Sequence, residues 1–98
     1  MLKVKDPQAT IPEGFDWTAY LAALGSAVTI STSTWAYTGA DTALTLANDS
    51  IVTGSLKTQV FLSAGTVGLT YVVTNHVTTS SSPTVTDERS FELLIEQQ

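Results

Sequence analysis

The chain has 98 residues, of which 43% are apolar, and this is enough for the core of one small domain. Its four Lys and Arg residues stand against nine Asp and Glu, so the net charge is −5. Because phosphate contacts need many cations, this balance argues against nucleic-acid binding and against docking on anionic membranes. The absence of cysteine excludes disulfides, thiolate metal sites and a cysteine nucleophile.

The N-terminal segment, residues 1–14, contains Pro7 and Pro12 and few large apolar residues. Proline lacks the N–H that a central strand donates to its neighbour, so it is confined to sheet edges and loops. We therefore predict an N-terminal arm or edge strand over 1–14 and one globular domain over 15–98.

Residues 15–25 combine two patterns. Trp17, Tyr20, Leu21 and Leu24 have the spacing of one helix face, with Asp16 as a possible cap. The alternative is a strand over 15–20 followed only by a helical turn. We favour a strand that runs into a short helical turn near residues 19–24.

The remainder of the chain is rich in Thr and Val, which favour strands. Apolar alternation predicts strands within 26–37, 42–47, 51–64, 69–79 and 85–97, separated by turns that include the tripeptide NDS at 48–50. Trp35 and Tyr37 have the opposite parity to Val28 and Ile30, which indicates a bulge or a strand end between them. About seven short strands predict an all-β sandwich or a small barrel.

The last two strands can be aligned as an antiparallel hairpin in which opposing residue numbers sum to 164. This places Asn75 opposite Arg89 on the core face and His76 opposite Glu88 on the outer face. We interpret Asn75 as a polar core anchor. We expect Arg89 to be partly buried and paired with a carboxylate, with Asp16 as the best long-range candidate.

No catalytic or metal-binding residue is predicted. His76 is the only histidine and lacks a nucleophile in a recognisable context, so we interpret it as a solvent-side residue beside Glu88. Asp41, Asn48 and Asp49 could ligate calcium, but they lack the spacing of a known calcium loop and fit ordinary turns better. We therefore expect no enzyme activity and no cofactor.

Four aromatic residues permit an alternative function. Exposed Trp17, Trp35, Tyr20 and Tyr37 would form a sugar platform and make the domain a small carbohydrate-binding module. Aromatic side chains in a small sandwich are more often part of the core, which is the interpretation that we favour.

Four stretches, in order, carry a family resemblance: KDPQAT at 5–10, FDWTAYLAA at 15–23, TISTSTW at 29–35, and VFLSAGTVGLTYVVTNHVTTSSSPTVTDERSFELLI at 60–95. Together they resemble the phage fiber-tail adaptor family, a group of short tailed-phage virion proteins. The match covers most of the chain. Each motif is weakly specific by itself, but their order and spacing are fairly specific.

The resemblance implies an immunoglobulin-like antiparallel β-sandwich in a bacteriophage virion, at the tail or the head-to-tail region. Such a protein, made in the host cytoplasm, would dock fibers or neighbouring tail proteins in many symmetric copies and without catalysis. A capsid decoration or head-fiber role on the same fold is the alternative. The resemblance also implies structural signature residues: Asp16, Trp17, Trp35, Tyr71, Asn75, Asp87 and Arg89.

Overall fold

The computed structural model describes residues 2–97, which form seven strands and one helix. In chain order the elements are β1 (Leu2–Lys5), β2 (Ile11–Asp16), α1 (Thr18–Leu24), β3 (Ile30–Thr38), β4 (Leu44–Ile51), β5 (Lys57–Ala64), β6 (Thr70–Thr79) and β7 (Thr86–Ile95). Met1 and Gln98, which belong to the predicted arm and domain, lie outside the described residues.

The strands form two sheets that pack as a sandwich. The four-stranded sheet has the order β1-β7-β6-β3, and the three-stranded sheet has the order β2-β5-β4. The β1–β7 pair is parallel, and the other neighbouring pairs are antiparallel. The predicted all-β sandwich of about seven strands, with one short helix, is confirmed.

Inward-facing side chains of both sheets form the main core, as the alternation of apolar residues requires. This core consists of Leu44, Val60, Leu62, Tyr71, Val73, Phe91, Leu93 and Ile95. A second cluster lies beneath α1 at one end of the sandwich and contains Trp17, Leu21, Ile30 and Val77. The short helix therefore closes that end of the core.

The hairpin of β6 and β7 has the predicted register. Asn75 pairs with Arg89, His76 with Glu88, and Tyr71 with Leu93. A shift by one residue would turn the buried side chains of both strands toward solvent, so the hydrophobic pattern alone determines the parity.

The N-terminal segment contains two edge strands. β1 pairs only with β7, at the edge of the four-stranded sheet, and β2 pairs only with β5. β2 begins at Ile11 and so extends across the predicted boundary at residue 15. Pro12 is tolerated within β2 because an edge strand needs main-chain bonds on one side only.

The predicted turn at 48–50 is wrong. β4 continues through it to Ile51, with the register shift of a bulge between Ala47 and Ser50. Asn48 has a φ of +52°, and asparagine is among the residues that adopt this left-handed conformation most readily. A second bulge lies between Ile30 and Thr32 in β3, where the change of parity indicated one.

Candidate functional site

A buried network centred on Asn75 connects both sheets to the start of α1. The Asn75 side chain is fully buried. Its Oδ1 accepts hydrogen bonds from Trp17 Nε1 at 3.1 Å and from Thr58 Oγ1 at 2.7 Å. Its Nδ2 donates to Ser33 Oγ at 2.9 Å and to the Thr34 carbonyl oxygen at 3.0 Å.

This Asn75 network uses both atoms of the amide, so the buried polar group is fully satisfied. It joins β6 and β3 in one sheet to β5 in the other, and it fixes the indole of Trp17 beneath the helix. Two of the predicted signature residues, Trp17 and Asn75, are thus brought into direct contact. Their hydrogen bond connects the start of α1 to β6, and Asn75 is bonded in turn to β5.

Arg89 is half-buried on β7 and stacks on the first turn of α1. Its guanidinium carbon lies 4.1 Å from the Trp17 ring centroid and 5.9 Å from that of Tyr20. One guanidinium nitrogen donates to the main-chain carbonyl oxygen of Asp16 at 3.0 Å. The stack holds the helix against the four-stranded sheet by cation–π contact and one hydrogen bond.

The predicted pairing of Arg89 with the Asp16 carboxylate is therefore wrong in one respect. Arg89 contacts Asp16, but at the carbonyl oxygen. The Asp16 carboxylate instead accepts hydrogen bonds from the backbone N–H and the hydroxyl of Thr18. These bonds lower the pKa of Asp16, with smaller contributions from Lys57 and Arg89. An Asp side chain that bonds to the backbone two residues further on is a common arrangement, and it occupies the carboxylate that Arg89 was expected to contact.

Tyr71, at the start of β6, closes the opposite end of the sandwich. Its hydroxyl accepts a hydrogen bond from the Thr66 backbone N–H at 3.0 Å and donates to Asp41 Oδ1 at 2.6 Å. Asp41 also accepts from Thr66 Oγ1 at 2.6 Å and from the Ala43 N–H at 3.1 Å. We call Asp41, Thr66 and Tyr71 the Tyr71 corner.

Sequence reasoning named Tyr71 but missed its partners. Asp41 was considered as a calcium ligand and interpreted as a turn residue, whereas its carboxylate is occupied by these bonds, which lower its pKa. The sequence contained one signal for the bond between Tyr71 and Thr66. The tyrosine follows the threonine of a predicted loop by five residues. Among residues 2–97, no group of three or more His, Cys, Asp or Glu side chains could hold a metal ion.

Lys5 anchors the N-terminal strand. Its side chain is only 2% exposed, and its Nζ donates to the carbonyl oxygens of Asp6 at 2.7 Å and Ala64 at 2.8 Å. Burial lowers the pKa of Lys5, while the charge of Asp6 opposes this shift. Because Ala64 ends β5, the bond ties β1 to the other sheet.

The outer face of the last hairpin carries the only histidine of the sequence. His76 Nδ1 lies 3.0 Å from Glu88 Oε2, as expected from the register, and both side chains are solvent-accessible. The neighbouring signature residue Asp87 is exposed and accepts a hydrogen bond from the Glu88 N–H. Burial raises the pKa of Tyr20, and a hydrogen bond to Asp87 adds to this shift.

The aromatic side chains do not form the row of exposed rings that a sugar platform needs. Trp17 is fully buried, and Trp35 stacks on Phe15 with centroids 5.9 Å apart and an angle of 12° between the planes. Tyr37 packs edge-on against Tyr71. In the described part of the chain, Trp35 Nε1 is a buried donor without a hydrogen-bond partner.

The remaining candidate surfaces are main-chain edges and outward-facing side chains. Each sheet ends in two edge strands: β1 and β3 in one, β2 and β4 in the other. A cleft of about 250 Å³ lies between β3 and β4. Its walls are formed by Thr34, Trp35, Leu46, Asp49 and Val60.

These features define a small β-sandwich whose distinctive polar side chains hold its two sheets and its helix together. The family model of the podophage GP4 fiber-tail adaptor protein gp77 matches residues 5–94. The chain belongs to this family, so it is a phage structural adaptor associated with the virion, and membership implies interaction with other tail or fiber proteins. Comparison with curated proteins and with solved structures gives no significant match.

Within residues 2–97, the helix of seven residues is far too short to cross a bilayer.

Proposed function

We propose that this protein acts by non-catalytic contact in the tail or head-to-tail region of the virion, where it docks fibers or neighbouring tail proteins. The observation that carries the proposal is the family match over residues 5–94, nearly the whole chain. The geometry supports it, because the polar side-chain groups of Trp17, Asn75 and Tyr71 form hydrogen bonds within the chain. Their roles as structural signature residues are part of the same proposal.

The fold that we propose for this adaptor is immunoglobulin-like. The strand order supports this proposal. One sheet has the order β2-β5-β4 and the other contains β3-β6-β7, as in an immunoglobulin sandwich. Tyr71, whose hydroxyl bonds to the backbone of Thr66 at the β5–β6 connection, corresponds to the tyrosine corner of such domains. The N-terminal segment 1–14 then contributes edge strands to the domain over 15–98.

Repetition strengthens weak contacts. A tail is symmetric, so several copies of the adaptor would present the same surface to the fiber. Linked contacts of this kind raise the overall affinity without any new interaction. The domain therefore needs only modest surfaces in each copy.

The experiment that tests the proposal is electron cryomicroscopy of purified virions. We expect density for the two-sheet domain where a fiber meets the tail. Density on the capsid surface would favour the decoration or head-fiber alternative instead.

A further inference from the structure

We propose that the free edge of β3 accepts an extended segment of a different virion protein, which adds a strand to the four-stranded sheet. The inference rests on the proposed adaptor function and names the surface through which it acts. Strand addition is a common mode of recognition in which main-chain hydrogen bonds supply affinity and alternate side chains supply specificity.

Three of the four edge strands carry features that hinder strand addition. β1 is only four residues long and contains two lysines. β2 contains Pro12 and Gly14, and β4 is interrupted by the bulge between Ala47 and Ser50. Short length, charge, proline and bulges are the usual means by which proteins protect exposed edges.

β3 lacks all of these features along most of its length. Its nine residues, ISTSTWAYT, include no charged residue, no proline and no glycine. The bulge is confined to its first residues, and the register with β6 is regular from Thr32 to Thr38. No other strand among residues 2–97 pairs with its outer edge. In these seven residues, every second one directs its N–H and C=O groups to the outer edge, and the segment has the length of an ordinary strand.

The cleft beside this edge gives the added strand a place for a side chain. Leu46 and Val60 provide apolar walls, and Asp49 provides a carboxylate. A strand that follows β3 would place every second side chain toward this cleft. The chemistry that fits is therefore an extended segment without acidic residues that carries a small apolar side chain and a basic or amide side chain.

Charge favours a different protein over a second copy as the occupant. The chain has a net charge of −5, so two copies repel each other. A twofold pairing of β3 edges would also bring the cleft of each copy, with its Asp49, to the same junction. A neutral or basic segment avoids this repulsion, and an adaptor by definition joins proteins other than itself.

The test uses phage particles assembled with a double variant, Thr34→Lys with Ala36→Lys, whose side chains are both exposed on β3. The control is Thr45→Lys with Ala47→Lys, exposed in the same alternation on the β4 edge. Both variants should melt close to the wild type, since Thr34 serves the Asn75 network only through its carbonyl oxygen. Mass spectrometry should show about tenfold less of the β3 variant, or of a tail or fiber protein that it binds, per particle, and unchanged amounts with the control.

A second measurement on the wild type covers the case in which the β3 variant does not fold. Amide hydrogen exchange over residues 30–38 should be slower in virions than in the isolated protein, because the added strand protects the outer N–H groups. Particles of the same protein composition with both variants, or unchanged exchange, would overturn the β3 assignment and leave the adaptor function intact. Absence of the wild type from particles would instead defeat the proposed function.

Sedimentation of the purified proteins identifies the occupant. The wild type should be monomeric in isolation, like the β3 variant. A wild-type dimer that the β3 variant cannot form would show that the edge binds a second copy, which would overturn the assignment to a different virion protein.

Discussion

Individual polar residues in this sandwich act as connectors between elements. Asn75 joins the two sheets, Arg89 holds the helix, and Asp41 completes the Tyr71 corner. A buried polar group that is fully bonded gives a small core a unique arrangement, while the loss of one partner leaves the others unsatisfied. The residue-scale predictions follow from these bonds.

Replacing Arg89 tests the stack on α1. Arg89→Lys keeps the positive charge but loses the planar contact with Trp17 and the hydrogen bond to the Asp16 carbonyl oxygen. We expect a loss of about 1–2 kcal/mol in the free energy of unfolding, measured by urea denaturation. Lys57→Arg, at an exposed position, is the matched control and should have little effect. If both variants unfold at the wild-type midpoint, the stack contributes no stability.

Replacing Asp41 tests the Tyr71 corner through pH. The folded-state pKa of Asp41 lies below its ordinary value of 3.8, so its stabilisation is complete above that pH and is lost as the pH falls through the folded pKa. Asp41→Asn should be less stable than the wild type at pH 7 and should lose less stability as the pH falls below about 4. Thermal melting at a series of pH values measures this. A parallel loss in both proteins would contradict the assignment.

At the scale of whole elements, the features that depend on hydrophobic alternation could be predicted from the sequence. The parity of β6 and β7, and the opposition of Asn75 to Arg89, follow from period-two patterning alone. The continuation of β4 through residues 48–50 could not be predicted in this way. An asparagine in a left-handed conformation, such as Asn48, occurs in bulges as well as in turns. Pro12 indicated an edge strand within 1–14, but the sequence did not show that a strand begins at Ile11 and continues to Asp16, because proline does not specify the bounds of a strand.

The candidate site shows the same division. Tyr71 and Asn75 stood out in the sequence, but their partners Asp41 and Thr58 come from distant segments that no local pattern connects. The unprotected edge of β3 also depends on sheet order. Its uncharged sequence was visible beforehand, whereas its position at the end of a sheet was not.

The attachment of β1 can be tested through Lys5. Lys5→Met has a similar length but cannot donate to the Asp6 and Ala64 carbonyl oxygens. We expect faster amide hydrogen exchange in β1 and a loss of about 1–3 kcal/mol in stability. Lys5→Arg, which keeps the donors, should exchange more slowly than Lys5→Met. Identical exchange in wild type and Lys5→Met would show that β1 is held by its pairing with β7 alone.

At the scale of the molecule, the described chain is an elongated sandwich with extents of 44 × 23 × 19 Å. Each end is closed by a different device: α1 with Arg89 and Trp17 at one, and the Tyr71 corner at the other. The side chains of both groups bond within the chain, and we propose that the long sides and their edge strands contact neighbouring subunits. Closed ends and accessible long sides are compatible with a protein that connects others.

The central claim is that the protein joins a fiber to the tail. Electron cryomicroscopy of purified virions tests it most directly, by fitting the two-sheet domain into the density between these parts. The account predicts a copy of the domain at each fiber attachment point, in contact with both tail and fiber. Particles in which that density is filled by other proteins, or in which the chain is absent, would contradict it.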